Sequence, residues 1–212
     1  MRKLKDARRP EILDAALAIA AERGLEALSM RAVAQRIGVT PMALYGYYRS
    51  KDEMLDDLLG RLLAEIPPPP AGLGWRAVIE HLAYAWRAVA TRHPSAVPLV
   101  FTRPAISPGA IRVVDATYQA LLAAGTPPAQ VPRLERMLST FAVGHTLSEV
   151  SGRFGDGTLG PKARRAQLTA AELPGHDALA GVLDGPVDWA EEFRTDLREL
   201  CDLVERNAAA GH

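Results

Sequence analysis

Between Gly24 and Pro70 the chain carries helix stops and starts so closely spaced that only short helices joined by tight turns satisfy them. Gly24 ends a helix that opens at Pro10 and buries Ile12, Leu13, Ala16, Leu17 and Ala20 on one face. Ser29 is placed to cap a second helix, whose inner residues are Val33 and Ile37 and which Gly38 closes. Only two residues later Thr40-Pro41 supplies a new N-cap and a proline suited to the first helical position. This third helix runs to Tyr47 with Leu44 facing inward. Ser50-Lys51-Asp52-Glu53 forms a capping box, in which the serine accepts from the Glu53 amide and the glutamate reaches back. It opens a fourth helix with the stripe Met54, Leu55, Leu58, Leu59, Leu62 and Ile66, ended by Pro67 to Pro70.

The rest also reads as helix. Trp75 to His93 presents Val78, Ile79, Leu82, Trp86 and Val89 on one side. A short helix around Ala96–Phe101 precedes two long ones, Ala110–Ala124 and Val131–Gly152. Glycines make 152–160 a loop, a weak basic helix spans Lys162 to Glu172, and a Gly/Pro-rich stretch runs to Pro186. A second capping box, Asp188-Trp189-Ala190-Glu191, opens a final helix to Ala208. The expected class is all-α, with about nine to ten helices and no sheet. The expected division is a helix-turn-helix unit over residues 1–51 and a larger helical domain over 52–212.

Composition narrows the chemistry. The 212 residues are 48% hydrophobic and 24% charged, as in ordinary globular chains, and no stretch approaches ~18 uninterrupted apolar residues. The charged N-terminus leads into no apolar signal core, and the single cysteine, Cys201, excludes an internal disulfide framework; a reducing cytoplasm is the expected compartment. Zero net charge hides an asymmetry. Residues 1–51 hold ten Lys+Arg against five Asp+Glu, a net +5, and the remainder carries −5. A basic first quarter on a neutral chain points to nucleic-acid contact through that end.

Two short helices about the Gly38-Val39 turn fit the helix-turn-helix pattern, whose second helix enters the DNA major groove. Pro41, Met42, Tyr45, Gly46 and Tyr47 are its expected outward positions, with Val39 and Leu44 holding it to the helices behind. Met42 suits a thymine methyl, the two tyrosines suit phosphate oxygens, and Lys51 adds charge to the same phosphate line.

The run Leu28-Ser29-Met30-Arg31-Ala32-Val33-Ala34-Gln35-Arg36-Ile37-Gly38-Val39-Thr40-Pro41-Met42-Ala43-Leu44-Tyr45-Gly46-Tyr47-Tyr48-Arg49-Ser50-Lys51 resembles the DNA-binding signature of the TetR family of transcriptional repressors. The resemblance implies an all-helical homodimer whose three N-terminal helices bind DNA and whose remaining helices sense a ligand and dimerise. It implies DNA contacts from Arg31, Thr40, Pro41, Met42, Tyr45, Tyr47 and Lys51. The basic extension Arg2, Lys3, Lys5, Arg8 and Arg9 either follows the DNA or is a disordered tail. Trp75, Trp86-Arg87, Thr102-Arg103-Pro104 and Ala142-Val143-Gly144-His145 resemble the tetracycline-responsive members in the same order. Where those members place a magnesium-binding histidine and a drug-binding asparagine, this chain has Leu99 and Leu82. A metal-bound tetracycline is therefore not the expected effector; a more apolar molecule is.

Candidate effector contacts are Trp86, Phe101, Met137, Phe141 and Phe154 for apolar surface, and His81, Arg103, His145 and Glu149 for polar anchors. Each also reads as ordinary core or surface. The last helix, with Trp189, Phe193, Leu197, Leu200 and Leu203, and the helix bearing Leu134, Leu138 and Leu147 are the expected dimer-forming pair. Gly155 to Gly160 matches GxGxxG formally but follows a helix rather than a strand, so no phosphate loop is inferred. The histidines show no zinc spacing, and no nucleophile elbow appears. The expectation is a repressor without metal or cofactor, released from a palindromic operator by a small, largely apolar effector, with no membrane partner and no catalytic residues. The rival readings are an activator or ligand-independent regulator of the same fold, and a helical carrier or enzyme.

Overall fold

The computed structural model describes residues 2–104, 106–152, 163, 165–169 and 171–209, with side chains from Arg8 onward. Among the described residues there are eleven α-helices of defined bounds and no strand. They are α1 (Arg2–Arg23), α2 (Met30–Arg36), α3 (Pro41–Tyr45), α4 (Lys51–Ala64), α5 (Trp75–Arg92), α6 (Leu99–Thr102), α7 (Pro108–Ala123), α8 (Val131–Val150), α9 (Pro174–Ala178), α10 (Ala180–Leu183) and α11 (Trp189–Ala209).

Three boundaries differ from the sequence reading. Pro10 lies inside α1 instead of opening it, because Ala7, Arg8 and Arg9 are strong helix formers that carry the helix through one missing backbone donor. Helix α3 ends at Tyr45, with Gly46 as its C-cap. The stretch read as loop before Pro186 holds the two short helices α9 and α10, the first with Pro174 in its opening turn. Of the helix expected over 162–172, residues 163 and 165 are helical, while 166–169, 171 and 172 form turns, a bend and irregular backbone, so no continuous helix spans the described part. The loop expected over 153–160 lies outside the described residues.

The core follows from the apolar stripes. Ile12, Leu13, Ala16 and Ile19 of α1 meet Val33 and Ala34 of α2 and Leu44 of α3 in the small N-terminal unit. Helix α4 buries Met54, Leu55, Leu58, Leu59, Leu62 and Leu63, more than one face, because it packs on α1 at one end and on α5, α6 and α7 along the rest. It is thus part of both layers. Helices α5, α7 and α8 pack on one another, and α11 lays Phe193, Leu197, Cys201 and Val204 against α8. Each fully buried large side chain contributes about 1.5–3 kcal/mol. The approach of α7 to α4 is close: a Cβ on Gly109 would stand 3.3 Å from Ala64 Cα, and one on Gly60 3.0 Å from Ser107 Cβ. No helix among the described residues is long and apolar enough to cross a membrane.

Candidate nucleic-acid interface and inner cavity

The turn that sets α3 against α2 is built by backbone hydrogen bonds. Val39 N donates to Ala34 O at 2.9 Å and Gly38 N to Gln35 O at 3.3 Å, with Gly38 at φ +69°. This is a Schellman C-cap, and its left-handed residue explains the glycine. The caps anticipated from sequence close the starts. Ser29 Oγ accepts from Ala32 N at 3.1 Å, Thr40 Oγ1 from Ala43 N at 3.2 Å and Ser50 Oγ from Glu53 N at 3.1 Å. Glu53 reaches back one residue further than a standard box, its Oε2 accepting from Arg49 N at 2.7 Å.

Leu44 is buried completely, so the opposite side of α3 faces outward. Thr40 and Pro41 are exposed, Met42 is 80% exposed and Tyr45 48%. Arg31, on α2, is also exposed, while Tyr47 and Lys51 are half-buried at the edges of this face. An exposed methionine and tyrosine one turn apart on α3, with an exposed arginine on α2, are side chains left out of the protein core and of the kinds that meet base edges and phosphates.

Behind this face lies a clip that sequence reasoning missed. Tyr48 is fully buried, and its hydroxyl donates to Asp57 Oδ2 at 2.6 Å. Arg9 of α1 reaches the same carboxylate at 3.3 Å, donates to Tyr47 O at 3.1 Å, and lies over the Tyr48 ring at 4.8 Å from its centroid. Burial, then the Asp57 hydrogen bond, pushes the Tyr48 phenol pKa far up, keeping it protonated as a donor. The signal was available: Tyr48 follows Leu44 by four residues, the spacing of one helical face.

Within the larger unit α4, α5, α6, α7, α8 and α11 line a half-open cavity of about 160 Å³. Its walls are mostly apolar, Leu63, Ile79, Leu82, Trp86 and Leu138 among them, with Glu135, Thr117 and Ser139 as its polar lining residues. A larger groove of about 760 Å³ between α4 and α7 shares Leu63, Ile66, Leu82 and Val113 with it.

Of the residues named from sequence as effector contacts, Trp86 lines this cavity. The other described ones stand elsewhere, each for a definable reason. Phe101 is 55% exposed, and Met137 packs half-buried against the core. His81 Nε2 lies 3.1 Å from Pro67 O. Arg103 pairs with Asp56 at 3.1 Å and with Asp52, both on α4. Glu149 accepts from Arg87 Nε at 2.8 Å. Phe141 and His145 join Phe193 in an aromatic cluster, with ring centroids 5.4 Å and 5.0 Å from it, and Trp189 meets His145 at 5.3 Å. Phe154 lies outside the described residues. Leu99, in the place of the magnesium-binding histidine, is buried, and Leu82 is part of the cavity wall. Glu135, Thr117 and Ser139 were missed, although Glu135, Leu138, Ser139 and Ala142 share a helical stripe.

Two family models match this chain: "Bacterial regulatory proteins, tetR family" over residues 12–58, and "Tetracyclin repressor-like, C-terminal domain" over residues 66–200. The chain belongs to the TetR family. An HTH-type transcriptional regulator of Saccharopolyspora erythraea is 32% identical over 188 residues, which cover 86% of this chain and 78% of that protein. The HTH-type transcriptional repressor DrrR1 of Streptomyces coeruleorubidus is 31% identical over 164 residues, covering 76% and 58% of the two chains. Among solved structures, a possible TetR family transcriptional regulator from Streptomyces coelicolor A3(2) superposes with a TM-score of 0.79 at 28% identity, covering 93% of this chain and 98% of that one. This TetR-family chain is therefore a DNA-binding transcriptional regulator and not an enzyme.

Proposed function

We propose that the chain is a repressor that reads a palindromic operator as a homodimer and leaves it when a small, largely apolar molecule fills the cavity beside Trp86. The observation that carries the reading is the outward face of α3, where Met42 and Tyr45 stand free while Leu44 anchors the helix from behind. In this reading residues 1–51 form the DNA-reading unit and residues 52–212 the sensing and dimerising domain. Arg31 and Met42 read bases, Thr40 and Pro41 let the backbone approach the groove, and Tyr45, Tyr47 and Lys51 hold phosphates. Dimerisation runs through α8 and α11, where Leu147, Leu200 and Leu203 remain only half-buried in the single chain. Leu134, Leu138, Phe193 and Leu197 are already spent on the protomer's own core.

The mechanism is a shift between two states of α4, which is part of both layers. With the cavity empty, two α3 helices about 34–36 Å apart fit successive major grooves. Ligand between α4, α5 and α8 favours a different α4 placement, so operator and ligand compete through a coupling of a few kcal/mol. The repressor name of DrrR1 supports the sign of the effect. The cavity itself favours a ligand-responsive regulator over a ligand-independent one, whose core at Trp86 would be sealed.

The test is selection of bound duplexes from a random library at a stated salt concentration. A palindromic consensus, lost in Arg31→Ala and Tyr47→Ala, is the expected result. Enrichment no better than polyanion attraction would overturn the reading.

A further inference from the structure

The inner cavity has an uneven polar inventory. Glu135 is the ionisable residue among its described lining residues, and no lysine, arginine or histidine faces it there. Burial raises the Glu135 carboxyl pKa, only partly offset by a hydrogen bond to Ser139 and the charge of Arg136, and no ion pair forms to it among the described residues. Arg61 and Arg112 line the adjoining groove, and Arg61 is already held by Asp14 and the Pro10 carbonyl. The second polar point is Trp86. Its side chain is buried, and its indole Nε1 has no hydrogen-bond acceptor among the described residues. An orphaned buried donor is uncommon and costly, which makes it a natural place for an acceptor from outside the chain. The space beside Trp86, about 160 Å³ and open to the adjoining groove, suits about one ring, as an engineered cavity of about 150 Å³ holds benzene.

We infer that the cavity takes a small apolar amine of about one ring, whose protonated nitrogen meets Glu135 at the rim and whose acceptor atom meets the Trp86 indole. The inference rests on the reading of this cavity as the effector site. A carboxylate is disfavoured by the same geometry, because it would meet Glu135 with no basic side chain lining the cavity to offset the repulsion. Thr117 adds little, since its hydroxyl already donates to Val113 O at 3.0 Å.

Three matched probes test this on the full chain by calorimetry and thermal shift: para-methoxyphenethylamine, neutral para-ethylanisole and para-methoxyphenylpropionate. The amine is expected to bind about tenfold tighter than the anisole, and the carboxylate about tenfold weaker. Glu135→Gln should remove the amine's advantage and leave the anisole unchanged. Trp86→Phe should weaken all three, which share the methoxy acceptor. If Glu135→Gln does not fold, the rank order on the unmodified protein decides. An anisole that binds as well as the amine, or a carboxylate that binds best, overturns the charge assignment while leaving the effector site standing. If none of the three binds, both fall.

Discussion

Arg103, the residue that ends α6, places its Nη1 3.1 Å from Asp56 Oδ1 in the middle of α4, and the same guanidinium also grips Asp52 one turn earlier. The pair ties α6 to α4, the helix that in the proposed mechanism links the sensing domain to the DNA-reading unit. Hydrogen bonding to Asp52, then to Asp56, holds the arginine firmly protonated. Because Asp52 is largely exposed, the interaction is worth little in stability, under about 1 kcal/mol. Arg103→Ala should therefore unfold in urea close to the unmodified protein. Its cost falls on coupling: the fold-change in operator affinity caused by saturating ligand should shrink toward one. Retention of the full change would mean that Arg103 is not part of the link.

Tyr48 and Asp57 make a second connection, between the turn after α3 and the body of α4. Tyr48→Phe removes a donor from a half-exposed carboxylate that water and Arg9 still reach, so the loss should be about 1 kcal/mol in urea unfolding. Tyr48→Ala opens a cavity behind α3 and should cost about 3 kcal/mol. The aromatic variant should keep most operator affinity and the alanine variant little. Equal losses in the two would show that the ring's packing contributes nothing.

Local chemistry made the N-terminal unit readable. Ser29, Thr40, Gly38 and Ser50 act within four residues of the groups they satisfy, and their roles are written in neighbouring side chains. Pro10 shows the limit of that signal, because a proline fits an opening turn and a tolerated interior position alike. The cavity was harder to read. Phe141, His145 and Glu149 do share a helical face, but that face meets Phe193 of α11 and Arg87 of α5, while the neighbouring stripe of Glu135, Leu138, Ser139 and Ala142 lines the void. Which of two adjacent stripes fronts a cavity is decided by how α5, α7 and α11 cross α8, and no spacing within α8 records it.

His145 sits among Phe141, Trp189 and Phe193 with neither ring nitrogen hydrogen-bonded among the described residues. Burial lowers its pKa below the ordinary 6.5, against the weaker pull of Glu149 and Asp196. Below 6.5 the unfolded chain takes up a proton that the folded chain still refuses. Stability from this residue is therefore complete above 6.5 and is lost as the pH falls toward the folded value. His145→Phe should unfold with a shallower decline between about pH 7 and pH 5 than the unmodified protein. Identical declines in urea midpoints would exclude His145 as their source.

The outward face of α3 makes distinguishable demands on DNA. Lys51, at the first turn of α4, meets phosphate in the proposed complex, so Lys51→Ala should weaken all duplexes alike and lower the slope of log affinity against log salt by about 1. Arg31 and Met42 meet bases, so Arg31→Ala should cost about 1–3 kcal/mol on the selected operator and little on unrelated duplex. Tyr47→Phe keeps the ring, which is half-buried, and removes only the hydroxyl; a loss of about 1 kcal/mol without change in sequence preference is the expected outcome. Titrations of each variant against operator and random duplex at several salt concentrations separate these effects. A Lys51→Ala variant that lost specificity but kept the salt slope would reverse the assignment of phosphate and base contacts.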